Sequence, residues 1–299
     1  MFFRKKPEAK NFIVLDVEGG SVGGALMRQG TPQGPVSFLA HERLYLPVRQ
    51  GRSAEALARE IVRLAEELVA TLSREAQQEG GVSGASIIMS APWGRPNLTK
   101  GSPDFVPHMQ EALTRTLMPH IELPEPPRFY TGAGAALTGL RAAFPHERTY
   151  LLTVITHEMT ELLLIHNGQV AGHASMPHGI NLPLRTLKTH GGLSDAEARS
   201  ALKLRHMEEP LGAAGEHYAR EFKDVARELL DVYAPSHVWV VSPAGEYFAR
   251  ALAHPDLGDL FPQGGFVRAL SPRHVAPHAG NPQSQDLFLV LAGVWVRYS

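Results

Sequence analysis

NFIVLDVEGGSVGGALM, residues 11–27, is the stretch that decides the fold. An apolar run ends at Asp16, a bend through Glu18, Gly19 and Gly20 follows, and a second apolar run starts at Ser21 and passes Gly23 and Gly24. The pattern predicts two strands joined by a tight turn. It sets one carboxylate at a strand end, beside backbone N–H groups that only glycine leaves open to a large anion. Asp also supports turns by bonding nearby N–H groups, so a local structural role for Asp16 stands beside the binding role.

Outward from this turn, the first half predicts a third strand at 36–46 and a long helix at 53–79. Leu57, Ile61, Leu64, Leu68 and Leu72 recur at spacings of four and three, which places them on one helix face. A strand at 86–92, a helix at 104–118, a strand at 128–132 and a helix at 133–144 follow, and Pro145 marks a boundary. The second half repeats the order. Strands are expected at 150–156, 160–166 and 169–177, with Asn167-Gly168 as a hairpin signal. Helices come next, one opened by the capping box Ser194-Asp195-Ala196-Glu197 and another at 215–233 with Tyr218, Phe222, Val225, Leu229 and Val232 on one face. A strand at 237–243, a helix at 245–253, a strand at 265–271 and an apolar end complete it. Three antiparallel strands followed by alternating helices and strands, twice over, predict an α/β protein of two ribonuclease-H-like lobes, 1–145 and 146–299, with a cleft between them. SIIMSAP (86–92) and HVWVVSP (237–243) take matching places in the halves, and both should turn out at the cleft.

The 299 residues carry 29 Lys and Arg against 30 Asp and Glu, so the formal net charge of -1 offers no general attraction for nucleic acid or an anionic membrane. A hydrophobic share of 43% with 20% charged residues fits a folded globular chain, long enough for one large core or two ordinary ones. The absence of cysteine excludes disulfides, thiolate metal sites and thiol catalysis, and fits a cytoplasmic protein. The FFRKK start reads as a solvated tail, with no secretory leader expected. LFLVLAGVWV (287–296) falls short of the roughly 20 residues a membrane helix needs, and reads as a buried closing helix or strand.

The chain resembles the PilM/FtsA branch of the actin-like ATPase superfamily. Residues 11–27 are similar to its first phosphate loop, 151–181 to its second loop and the strands after it, and Met176-Pro177-His178-Gly179 to a Pro-x-Gly turn before a helix. DAEARSALK (195–203) resembles its acidic-and-lysine helix, TGAGAALTGL (131–140) the segment joining the lobes, and VVSPAGEYFARAL (240–252) an adenosine-contacting turn. The resemblance implies ATP with magnesium as the ligand, Asp16 at the metal, and Gly19, Gly20, Ser21, Gly23, Gly179 and Gly245 around the nucleotide. It names no catalytic residue. It also implies a cytoplasmic location at the inner face of the inner membrane, protein partners from a pilus or division complex, and membrane association through a partner. Self-association is compatible with it, and nucleic acid is not expected.

Several positions depart from the pattern. Val154 stands where the second loop carries Asp, Thr156 and His157 stand at its glycines, and Glu18 replaces a glycine in the first loop. Phosphoryl transfer needs metal and electrostatic stabilisation of the moving group, so these changes argue against efficient hydrolysis. Strand three runs directly into the helix at 53, leaving little room for an inserted subdomain. Two readings follow: a degenerate actin-like scaffold, or a sugar- or acetate-kinase-like phosphotransferase or phosphatase of the same superfamily. The histidines at 157, 166, 173, 178 and 190 are spaced nine, seven, five and twelve apart, which is no metal-ligand pattern, and they read as ordinary strand and loop residues. Trp93 reads as packing rather than a stacking platform. PHIELPEPP (119–127) reads as a rigid loop.

Overall fold

A computed structural model describes residues 9–49, 51–97, 103–231, 233, 235, 237–261, 266–280 and 283–298. The FFRKK tail, Val232 and Gly265 lie outside the described residues. Two five-stranded sheets carry the molecule. The first takes β1 (Lys10–Val17), β2 (Ser21–Gln29), β3 (Val36–Tyr45), β4 (Gly84–Met89) and, after the two-residue β5 (Gly94–Arg95) and β6 (Asp104–Phe105), β7 (Arg128–Thr131), in the order β3-β2-β1-β4-β7. The second takes β8 (Tyr150–Ile155), β9 (Thr160–His166), β10 (Gln169–Met176), β11 (His237–Val241) and β12 (Phe266–Leu270), in the order β10-β9-β8-β11-β12. In both, the first three strands are antiparallel and the last two add in parallel. The lobes are topological copies, as their element order predicts.

Strand alternation sorts the side chains. Ile13, Leu15 and Val17 of β1 meet α1 (Ala54–Gln78) and α2 (Pro107–Leu117) on one face of the first sheet. Val14, on the other face, meets α3 (Gly132–Ala143) and α9 (Leu287–Tyr298). In the second sheet, Leu151 and Ile155 face α4 (Asn181–Gly191), α5 (Asp195–Leu204), α6 (Glu208–Leu230) and α7 (Gly245–Leu252). Leu152 and Val154 face α3, α8 (Pro272–Ala279) and α9. Helices α3 and α9 are therefore shared by both sheets, with α8 beside them on the second. This sharing explains why 287–296 is apolar all round: Leu287, Val290 and Leu291 pack toward the second sheet, and Leu289 and Ala292 toward the first.

The segment is a helix, which settles the alternative its sequence leaves open. Among the described residues no helix is long and apolar enough to cross a membrane. The helix predicted at 104–118 starts at Pro107, because Asp104 and Phe105 pair with Gly94 and Arg95. The helix predicted at 215–233 begins at Glu208, where Pro210 sits in the first turn and loses no intrahelical bond. Trp93 is 4% exposed and packs in the core of the first lobe, as predicted.

Candidate functional site

Asp16 pairs across β1 and β2 with Gly23, and Gly23 pairs across β2 and β3 with Arg43. Arg43 reaches Asp16 by lying over the middle strand. Gly23 makes this crossing available, since a Cβ there would stand 2.6 Å from Arg43 Nη2. That nitrogen donates to Asp16 Oδ2 at 2.6 Å and to Asp286 Oδ1 at 3.1 Å, while Nε donates to Asp286 Oδ2 at 2.5 Å. Nη1 donates to Ser21 Oγ at 2.8 Å and Glu18 Oε1 at 3.3 Å. The guanidinium thus serves three carboxylates and a hydroxyl with its side chain only 5% exposed.

Glu18 carries the network to the other lobe. It accepts the Ser21 hydroxyl, the backbone N–H of His157 at 3.0 Å and a bond with His157 Nδ1 at 2.8 Å. On the far side of the ring, Arg199 Nη1 lies 3.0 Å from Nε2. A guanidinium can only donate, so Nε2 accepts and the ring proton sits on Nδ1, given to Glu18. Arg199 also donates to the Leu46 carbonyl at 3.1 Å and lies over the Tyr45 ring. The same loop is held by Lys188, which donates to Val48 O, and by Asp195, which accepts Val48 N–H.

Burial pushes the Asp16 carboxyl from 3.8 up to about 7; the Arg43 charge opposes the rise, and Glu18 and Asp286 add to it. Burial acts to raise Glu18 as well, but the His157 ring, Arg43 and the Ser21 hydroxyl outweigh it and hold that carboxyl down at about 2. Three carboxylates around one guanidinium carry excess negative charge, and of Asp16 and Glu18 it is Asp16 that accepts a proton more readily.

The glycines of the first turn touch the second loop. A Cβ on Gly20 would lie 2.3 Å from His157 Cβ, and one on Gly19 would meet Pro92 and Glu158 at 3.3 and 3.4 Å. Gly179 packs on the same loop, with a Cβ position 2.2 Å from Thr156 O. Beside it the amides of Ile180 and Asn181, at the start of α4, donate to Thr156 O and His157 O. Asp16, Gly19, Gly20, Ser21, Gly23 and Gly179 therefore belong to one interlobe contact. Gly245 lies apart, at the start of α7, and lines a hollow of about 220 Å³ with Lys203, Arg205 and Pro243.

Paired sheets of this order around a shared helical layer recur in solved structures. A chain of a PilM-PilN type IV pilus biogenesis complex superposes with a TM-score of 0.59 at 14% identity, over 97% of this chain and 98% of that one. Ethanolamine utilization protein EutJ from Carboxydothermus hydrogenoformans gives 0.57 at 15% identity, over 97% and 90%. The fold is that of the actin-like ATPases. A ROK family transcriptional regulator is more distant, at 0.50 and 10% identity over 96% and 79%. No protein-family model and no curated protein sequence matches the chain.

A magnesium ion carrying phosphates needs free carboxylate oxygens and open backbone amides. Here Asp16 is bound by Arg43, the His157 amide is taken by Glu18, and the Gly20 backbone lies against the His157 side chain. As arranged, these residues do not fit a magnesium–nucleotide complex. Val154, which the sequence resemblance sets against a carboxylate, is fully buried among apolar neighbours. Its partner across the ladder is Glu161 on β9, 1% exposed, which accepts the Ala91 amide at 3.5 Å and has its other oxygen 3.5 Å from His173 Nε2. Sequence reasoning did not single out Glu161, Arg43 or Asp286. A lone arginine in the third strand was the one available signal for the network, and the register that aims it at Asp16 is visible only in the fold.

Proposed function

We propose that this chain is a degenerate actin-like protein, a pseudo-ATPase whose lobes are held together by its own side chains and which acts by binding other proteins. One observation carries the reading: the Glu18 carboxylate accepts the backbone N–H of His157, joining the two loops that a nucleotide's phosphates join in an actin-like ATPase. With Arg43 in place of a cation beside Asp16, the closed arrangement needs neither ATP nor magnesium. The lobes of this proposal are residues 1–145 and 146–299, with α9 of the second also covering the first. The likeness to a chain of a PilM-PilN type IV pilus biogenesis complex supports partners from a pilus assembly; a cell-division assembly, and a cytoplasmic place at the inner membrane face, rest on the sequence resemblance alone.

Titration calorimetry with Mg-ATP tests this directly. The expected result is no binding tighter than about 1 mM and no turnover. Pull-down from the native host should then recover pilus or division proteins. Micromolar binding with turnover of a small acceptor would overturn the proposal in favour of a phosphotransferase or phosphatase. The observation that favours this rival is Glu161, a buried carboxylate at the interlobe contact with one oxygen lacking a hydrogen-bond partner.

A further inference from the structure

Spacing along 157–190 gives the crowded histidines no ligand pattern, but the fold brings partners to one of them from α6. His178, in the turn between β10 and α4, faces His217 and Glu221, which stand one helical turn apart. The donor atoms of the three lie within 4.8 Å of one another. His178 Nε2 is 3.8 Å from Glu221 Oε2, and the rings of His178 and His217 meet edge to face at 5.4 Å. Among the described residues no other group of three or more His, Asp or Glu meets this test.

We propose that His178, His217 and Glu221 form a binding site for a divalent transition metal, with zinc the best-suited ion. Two imidazoles and one carboxylate are a zinc ligand set that leaves a fourth position for water. Zinc holds such donors at about 2.0–2.2 Å, so their separations must shrink on binding. Partly exposed side chains allow this: His178 is 26% and Glu221 47% exposed. The frame beneath them is fixed. Thr160 Oγ1 donates to the His178 carbonyl at 2.7 Å, which uses its only proton, so Tyr218 Oη donates to Thr160 at 2.9 Å. The backbone of one ligand is thereby tied to the residue next to another, and Thr160 and Tyr218 are fully buried. Arg185, the cation whose charge reaches His178, is neutralised by Glu158 at 2.7 Å.

The test uses full-length protein with no affinity tag, titrated with Zn²⁺ by calorimetry and with Co²⁺ by visible absorption. The expected result is one ion per chain at micromolar affinity or tighter, with the intense absorption of four-coordinate cobalt. His217→Ala and Glu221→Gln should each weaken binding by about tenfold or more, since even outer partners of metal ligands are worth that much. Both variants should keep the parent's circular dichroism, and His190→Ala, on the exposed side of α4, should keep its affinity. A parent that binds no zinc below millimolar concentrations, a His217→Ala protein that binds as tightly as the parent, or a cobalt spectrum that stays that of the aqueous ion would each overturn the proposal.

Discussion

His157 and Glu18, from opposite halves of the chain, are bonded twice, backbone N–H to Oε2 at 3.0 Å and Nδ1 to Oε1 at 2.8 Å. Both residues are buried, so neither donor has water to turn to. Glu18→Ala leaves these groups and Arg43 short of a partner, and a loss of about 3–5 kcal/mol is expected, read from urea unfolding at neutral pH. Glu18→Gln keeps an acceptor oxygen and should lose less. A Glu18→Ala protein as stable as its parent would show that the pair contributes nothing.

Arg43 uses all three of its nitrogens, which a lysine cannot reproduce. Arg43→Lys is expected to cost at least about 2 kcal/mol, and Arg43→Ala more, because it strands three acids in the interior. The loss should shrink when Arg43→Ala is combined with Asp286→Asn. Simple additivity in that double-mutant cycle would contradict the contact.

The two buried acids respond to pH with opposite signs. Asp16, raised from 3.8 to about 7, binds its proton more tightly folded than unfolded, so its contribution is full below 3.8 and is lost as pH rises through 7. Glu18, lowered from 4.5 to about 2, contributes above 4.5 and loses that contribution as pH falls through 2. Between about pH 5 and 7 the Asp16 effect governs the pair, and stability should decline by up to about 1.4 kcal/mol per pH unit. Asp16→Asn should flatten this slope in denaturation midpoints taken across that range. Equal slopes for the two proteins would exclude Asp16 as its source.

Gly20 lies directly against the second lobe. Gly20→Ala places a methyl 2.3 Å from His157 Cβ, between two elements that packing holds still. A loss of about 1–3 kcal/mol is expected, with faster proteolysis of the 46–49 loop that the second lobe clasps. Gly30→Ala, whose methyl meets nothing within 4 Å, is the control.

The sequence was legible wherever a local rule decided the outcome. Alternation through Ile13, Leu15 and Val17 sets the faces of β1, Asn167-Gly168 makes the hairpin, and the Ser194 capping box opens α5. The α6 start at Glu208 was not legible, since Pro210 sits in its first turn and Gly215 where the helix approaches α7. Asp16 was rightly placed at a strand end, but what it binds was not legible. Arg43 and Asp286 are 243 residues apart and meet through a shared layer that no periodicity encodes. The His178 cluster was missed for the same reason, since two of its members lie on a helix beyond the histidine-rich stretch.

The placement of α9 has a consequence for synthesis. While a ribosome is still making the second lobe, Val14, Ala25, Met27 and Ile88 of the nascent first lobe have only part of their cover, from α3, because Leu289 and Ala292 have yet to be translated. The amino-terminal lobe alone therefore lacks part of its own core. Residues 287–298 complete both cores, so removing them should destabilise the two lobes together rather than the second alone.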